Sequence, residues 1–307
     1  MKVGFLLNQI DNRGTGNAVY DYAHYNEEIL GNKSLILVRP TENNSRSAVL
    51  RFTDRFKTIY HIHENIPDID VLYHIKSGSM YQDDYIKIYN VPLVVHAVFE
   101  IQPHGDRYAA VSEWLGNKFN VPFVPHIIEK PEYSTNNFVR KFSRVPDDAV
   151  IFGRYGGYDT FDISWVWDTI QEILDIRDDV WFYFANTPET IKHPRIKYFN
   201  EIVGFTNKFS FVESSDAMLH ARARGETFGI SVGEFAIQGK PIITYGQSYE
   251  KAHIYELRGT ALTYDNQNEL REILLNFKKG TINHPFYDRF TPELVMKKFK
   301  EVFLDGL

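Results

Sequence analysis

Short apolar runs recur along the whole chain, and most are followed by a stretch long enough to form a helix. Residues 2–7, 34–38, 70–75 and 92–96 read as strands, with a helix at 17–30 stopped by Gly31. Residues 108–112 form a further short strand running into a helix that Ser112 can cap. After a polar segment at 129–147, with two prolines and mixed charge, the alternation starts again. Strands are predicted at 149–154, 180–185, 217–220 and 241–245, with a helix at 161–176 and an amphipathic helix at 292–304. Residues 241–245 have the branched, apolar character of a parallel strand buried on both faces. Strand–helix alternation in both halves implies two doubly wound α/β domains. A length of 307 residues is long for one core and comfortable for two. Ligands of such sheets bind beyond the carboxyl ends of the strands, which predicts a site in the cleft between the domains.

Residues 224–245 carry the strongest chemical signal. They read Arg-Gly-Glu-Thr-Phe-Gly-Ile-Ser-Val-Gly-Glu-Phe-Ala-Ile-Gln-Gly-Lys-Pro-Ile-Ile-Thr-Tyr. Two carboxylates, Glu226 and Glu234, are separated by seven residues, with Gly229 and Gly233 between them. The local pattern predicts a loop carrying Glu226, a helix over about residues 227–238, a stop at Gly239 and a buried parallel strand. Glu226 then lies where helix N-terminal amides point outward, a place suited to anionic ligands. Glu234 is flanked by Val232, Gly233, Phe235, Ala236 and Ile237, so its helix is predicted to be buried and its carboxylate to need a partner. The two acids are too far apart along one helix to work as a pair, so they are expected to touch different parts of one extended ligand. Two isolated glutamates would ordinarily just face solvent; the apolar, glycine-rich surroundings are what argue otherwise.

This stretch resembles the signature of the GT-B glycosyltransferases, most closely the retaining family 4 type. That signature is a Glu, seven residues, a second Glu, then Gly-x-Pro-Val/Ile-Ile; the matching residues are Glu226, Glu234 and Gly239-Lys240-Pro241-Ile242-Ile243. The resemblance implies a GT-B fold: two Rossmann-like, doubly wound parallel-sheet domains facing across a cleft. It further implies that Glu226 lies at the donor sugar and Glu234 holds the ribose hydroxyls, with Thr227, Phe228 and Gly229 of the motif also at the donor. Gly153-Arg154 matches the family's Gly-Arg, whose arginine binds the diphosphate; an arginine at a strand end can fork two phosphate oxygens. The lysine that usually follows is absent, since that place reads Tyr158-Asp159-Thr160; Arg222 or Arg224 is placed to supply the missing charge. The domains implied are residues 1–140 on the acceptor side, 141–290 for the nucleotide sugar, and 291–307 as a helix crossing back to the first domain.

Other positions carry weaker signals. The run Asn12-Arg13-Gly14-Thr15-Gly16-Asn17 follows the first strand, allows a tight turn and exposes helix amides to an anion. It lacks the third glycine of a dinucleotide fingerprint, and the family's glycine-rich loop at this place faces donor phosphate and acceptor. His96 ends an apolar run and is expected to emerge at the cleft edge, where the family carries a histidine near the donor sugar. His104 is a loop candidate, and Val124-Pro125-His126-Ile127-Ile128 stands where the family often has Pro-Asn-Gly-Val. His61, His63 and Glu64, or Asp68 and Asp70, offer only sparse metal-ligand spacings, so no metal and no other cofactor is expected.

A net charge of -6 argues against nucleic acid as partner, and no apolar run approaches the length of a membrane span. Without cysteine there is no disulfide framework or thiolate metal site, and a soluble cytoplasmic protein is expected. The resemblance implies an enzyme that moves a hexose, with retention, from a UDP- or GDP-linked nucleotide sugar to a hydroxyl of a carbohydrate or glycan acceptor. The alternatives are an inactive GT-B module that only binds nucleotide or sugar, and a nucleotide-sugar epimerase on the same fold.

Overall fold

The computed structural model describes residues 1–39, 41, 43–62, 68–80 and 90–307. His63 and Glu64 lie outside the described residues. The chain divides into two compact units, Met1–Ile127 with Arg289–Leu307, and Ile128–Asp288. The division falls earlier than the expected 140/141 boundary, and the C-terminal segment belongs to the first unit.

The first unit contains β1 (Lys2–Leu7), α1 (Gly14–Glu28), β2 (Lys33–Val38), α2 (Arg46–Phe56), β3 (Ile59–His61), β4 (Val71–Lys76), β5 (Leu93–Ala97), β6 (Arg107–Ala110) and α3 (Glu113–Phe119). Its six strands lie in the order β3-β2-β1-β4-β5-β6, and every pairing is parallel. Ser112 caps α3, its side chain accepting from the Leu115 amide at 3.2 Å. Apolar residues of β1, β2 and β4, among them Leu6, Leu37 and Leu72, pack into a core on one face. On the other face, Tyr73 meets Phe5, Tyr22 of α1, and Phe299 and Phe303 of the C-terminal segment.

The second unit contains α4 (Phe138–Phe142), β7 (Val150–Tyr155), α5 (Ser164–Ile176), β8 (Val180–Ala185), β9 (Ile196–Phe199), α6 (Phe205–Glu213), β10 (Ala217–His220), β11 (Gly225–Glu226), α7 (Ile230–Ala236), β12 (Ile242–Tyr245), β13 (Glu250–Lys251), α8 (Ala252–Leu257), β14 (Leu262–Tyr264) and α9 (Gln267–Asn276). The main sheet runs β14-β12-β10-β7-β8-β9, again all parallel. From β7 the chain winds outward through β8 and β9, then returns beside β7 and winds the other way through β10, β12 and β14. Its direction of winding therefore reverses between β7 and β10, the point where doubly wound sheets bind ligands. The last helix, α10 (Pro292–Phe299), continues into a wider turn at Lys300–Leu304 and closes the first unit, Phe299 stacking 5.3 Å from Tyr22. Among the described residues, no helix is long and apolar enough to cross a membrane.

Candidate active site

Glu226 sits just beyond the carboxyl end of β10, in a local structure that its glycines make possible. The expected loop is instead a two-residue strand: Gly225 and Glu226 pair in parallel with Glu250 and Lys251. Gly225 has φ +73°, and a Cβ there would lie 2.0 Å from the Glu250 carbonyl oxygen, so only glycine fits this approach. The helix that follows starts later than expected, at Ile230, because Gly229 adopts φ +92° at its N-cap. Gly229 packs against Glu226, whose Cβ and Cγ would lie 3.3 Å from an added methyl, and against the Cβ of His253. Thr227 and Phe228 bridge the strand and the helix with buried side chains.

The Glu226 side chain is 19 % exposed and is held by two basic groups. His220 Nε2 lies 3.3 Å from Oε1, and Arg222 Nη1 donates to Oε2 at 2.8 Å. Burial alone would raise the carboxyl pKa. The His220 hydrogen bond and the charges of Arg222, His220 and His253 outweigh it and hold the group at about 2. Behind it, His220 Nδ1 lies 2.9 Å from Thr244 Oγ1, which lies 3.0 Å from His253 Nε2. Burial, followed by the neighbouring His220 charge, pulls the His253 imidazole down to about 3. His220, Thr244 and His253 went unnoticed in the sequence. His220 ends a predicted strand six residues before Glu226, and parallel pairing sets it beside Thr244, so two of the three were within reach.

Glu234 lies on α7 and, as expected of a buried acid, has a partner: Lys208 of α6 reaches Oε1 at 3.1 Å, with both side chains largely shielded.

Arg154 requires a correction. It stands near the carboxyl end of β7, but only 3 % of it is exposed and its guanidinium turns into the chain. Nη1 donates to the carbonyls of Ala185 and Asn186 at 3.2 and 2.9 Å and to the Thr187 hydroxyl. Nη2 donates to Gly157 O at 2.6 Å and Thr160 Oγ1 at 2.7 Å. Burial, eased by the Glu226 charge, lowers its pKa to about 10. With both terminal nitrogens committed to neutral oxygens of the loops after β7 and β8, Arg154 clamps those loops rather than presenting a fork to a diphosphate. Of the two stand-ins, Arg222 is engaged by Glu226 and Arg224 lies exposed in the same loop.

His96 is the second correction. The apolar run predicts a strand end at His96, but β5 continues through Ala97, so His96 remains inside the sheet and is fully buried. Its Nε2 bonds Val124 O at 2.9 Å and its Nδ1 bonds Tyr73 OH at 2.7 Å, within a cluster that includes Tyr22, His126 and Phe303. Burial, only partly offset by bonds to backbone groups, pulls its pKa down to about 4. Both ring nitrogens are occupied, so His96 organises the core of the first unit.

Gly14, Thr15 and Gly16 are not a loop but the first turn of α1, with Gly14 and Thr15 exposed and Gly16 buried. His104 is tied to its own loop, Nδ1 lying 2.6 Å from Gln102 O. Asp70 accepts the Lys2 amide at 2.6 Å. Among the described residues, no group of three His, Asp or Glu side chains gathers as metal ligands would.

Comparison with protein-family descriptions finds none that matches this chain, and none of the curated proteins matches it either. Solved structures do. A glycosyltransferase from Rickettsia africae ESF-5 superposes with a TM-score of 0.71 at 13 % identity, covering 100 % of this chain and 99 % of its own. The Anabaena protein Alr3699/HepE, in complex with UDP and glucose, gives 0.73 at 13 % identity with 98 % of each chain covered. A point mutant of S. aureus TarM, in complex with Fondaparinux, alpha-GlcNAc-glycerol and UDP, gives 0.68 at 9 % identity, covering 99 % and 100 %. At such identities the likeness concerns the fold: two Rossmann-like units with parallel six-stranded sheets, the GT-B fold.

Proposed function

We propose that this chain is a retaining glycosyltransferase that moves a hexose from a UDP- or GDP-linked donor to a hydroxyl of a carbohydrate or glycan acceptor. The observation that carries this is Glu226, held ionised by His220 and Arg222 beyond the β7–β10 reversal, with Glu234 on the helix that follows. HepE, which shares the fold, was crystallised with UDP and glucose, and TarM with UDP and a sugar-bearing glycerol. With a pKa of about 2, Glu226 is a carboxylate at neutral pH and can only accept hydrogen bonds. It is suited to gripping donor-sugar hydroxyls and to facing the positive charge that develops at the anomeric carbon as the nucleotide leaves. Glu234, released from Lys208 or sharing it, would take the ribose diol. Arg222 or Arg224 would meet the diphosphate, and Gly14, Thr15 and Gly16 are proposed as phosphate or acceptor contacts of the first unit. The reaction as proposed needs no metal or other cofactor and no nucleic acid, and takes place in the cytoplasm. The inward-turned Arg154 and the absent lysine favour a second reading, a domain that binds nucleotide sugar without turnover.

Incubation with UDP- and GDP-hexoses, with and without saccharide acceptors, tests the proposal. Acceptor-dependent release of free nucleotide, with a product of the donor's anomeric configuration by NMR, is expected. Binding without release would select the non-catalytic module, and interconversion of donor sugars without release would select an epimerase.

A further inference from the structure

Behind Glu226 runs a single file of hydrogen-bonding groups, one from each of three elements. His220 from β10, Thr244 from β12 and His253 from α8 are all buried, Thr244 and His253 completely. The two imidazoles lie 4.8 Å apart, centre to centre, with the Thr244 hydroxyl between their nearer nitrogens. His220 is fixed from its backbone as well: the Tyr264 hydroxyl of β14 donates to its carbonyl at 2.9 Å, and it stands in register with Thr244. Four elements of the second unit thus converge on the orientation of one ring.

We infer that His220, Thr244 and His253 are positioning residues that set the Glu226 carboxylate, with every hydrogen in the file directed toward it. This rests on the reading of Glu226 as the donor-sugar group. The direction of the hydrogens follows from valence. Glu226 only accepts, so an imidazole at His220 with one ring proton must carry it on Nε2. Its Nδ1 is then an acceptor, and the hydrogen of Thr244 must point at it. Thr244 Oγ1, having spent its one hydrogen, accepts from His253, whose ring proton therefore also sits on Nε2. Such a file polarises along its length, and in a buried setting each aligned donor strengthens the next. Arg222 and Arg154, the other charged groups acting at this place, hold or lie near the carboxylate but do not enter the file.

A file that only knitted β10, β12 and α8 together would show the same distances. The two roles separate in what Thr244→Val does, because the methyl keeps the shape and removes the one group that can both donate and accept. Nitrogen NMR of the imidazoles at pH 8.5, on the resting protein, should find both His220 and His253 protonated on Nε2. In Thr244→Val the His220 ring should lose this fixed tautomer, kcat should fall roughly tenfold or more, and the donor KM should change by less than about threefold. Thr244→Ser should restore both the tautomer and kcat. In Glu226→Gln, the His220 Nε2 signal should shift and the His253 signal should follow it. An Nδ1 proton on His220 in the resting wild type overturns the inference. So does a Thr244→Val protein that melts earlier yet turns over normally. Should the wild type release no nucleotide at all, the transferase reading fails by itself, and the ring tautomers with their response to Glu226→Gln decide the file.

Discussion

Acidification should destabilise the first unit before carboxylates begin to titrate. His74 and His96 are buried there with pKa values of about 3 and about 4, against an ordinary 6.5. Burial is the main cause in both; the charges of Lys76, Arg39 and His104 add to it at His74. At pH 7.5 these rings are neutral folded and unfolded alike, so they contribute no difference. As pH falls through 6.5 the unfolded chain takes up protons that the folded chain refuses, and stability declines until the folded values are reached. At pH 5 the gap from 6.5 is 1.5 units, and at about 1.4 kcal/mol per unit each ring costs about 2 kcal/mol, about 4 for the pair. His126 moves in the same direction in the same unit, and His253 adds about 2 kcal/mol in the second. Whole domains are stable by only about 5–15 kcal/mol, so a loss of this size approaches unfolding. Denaturant titrations at pH 7.5 and 5.0 measure it. His96→Gln should lower absolute stability but shrink the pH-dependent loss by about 2 kcal/mol. The low carboxyl pKa of Glu226 acts only between about 4.5 and 2, below this window. A loss under about 1 kcal/mol between the two pH values would refute the account of these buried rings.

Three further outcomes are expected. Arg154→Ala should cost roughly 3 kcal/mol or more in urea titrations, because five loop oxygens lose their donor, and Arg154→Lys should recover little of it; near-normal stability with lost nucleotide affinity would show that the fork faces the phosphates after all. Glu226→Gln should depress kcat while Glu234→Gln mainly raises the donor KM, and steady-state kinetics near wild type in both would reduce the motif to coincidence. Donor binding, followed by calorimetry, should survive EDTA; loss restored by magnesium or manganese would redirect attention to Asp68 and Asp70.

Parts of this fold were legible because a strand buried on both faces is apolar at every position. Residues 2–7, 180–185 and 217–220 were predicted as strands, and β1, β8 and β10 have those same bounds. Helices α2 and α9 escaped notice for the converse reason, each burying only two residues among polar neighbours: Ala48 and Phe52 in α2, Leu270 and Leu274 in α9. The three-residue edge strands β3 and β14 are too short to stand out, and the β11–β13 pairing joins residues 25 apart that share no local pattern. At the site, spacing marked Glu226 and Glu234 but not their partners Lys208 and His220, since contacts between elements leave no periodicity; Arg222 was singled out for a diphosphate, not as the i,i+4 partner of Glu226. Arg154 and His96 show the limit of reasoning from position in a strand. One residue more or less at the carboxyl end decides whether a side chain meets the ligand side or the core, and the pattern does not resolve one residue.

The most direct test is a crystal structure of the protein with UDP. The account predicts the ribose at Glu234 and the diphosphate beyond the carboxyl ends of β7 and β10, within reach of Arg222 or Arg224, with Glu226 facing the β-phosphate side where the sugar would sit. UDP bound elsewhere on the second unit, or neither UDP nor GDP bound at millimolar concentration, would contradict it.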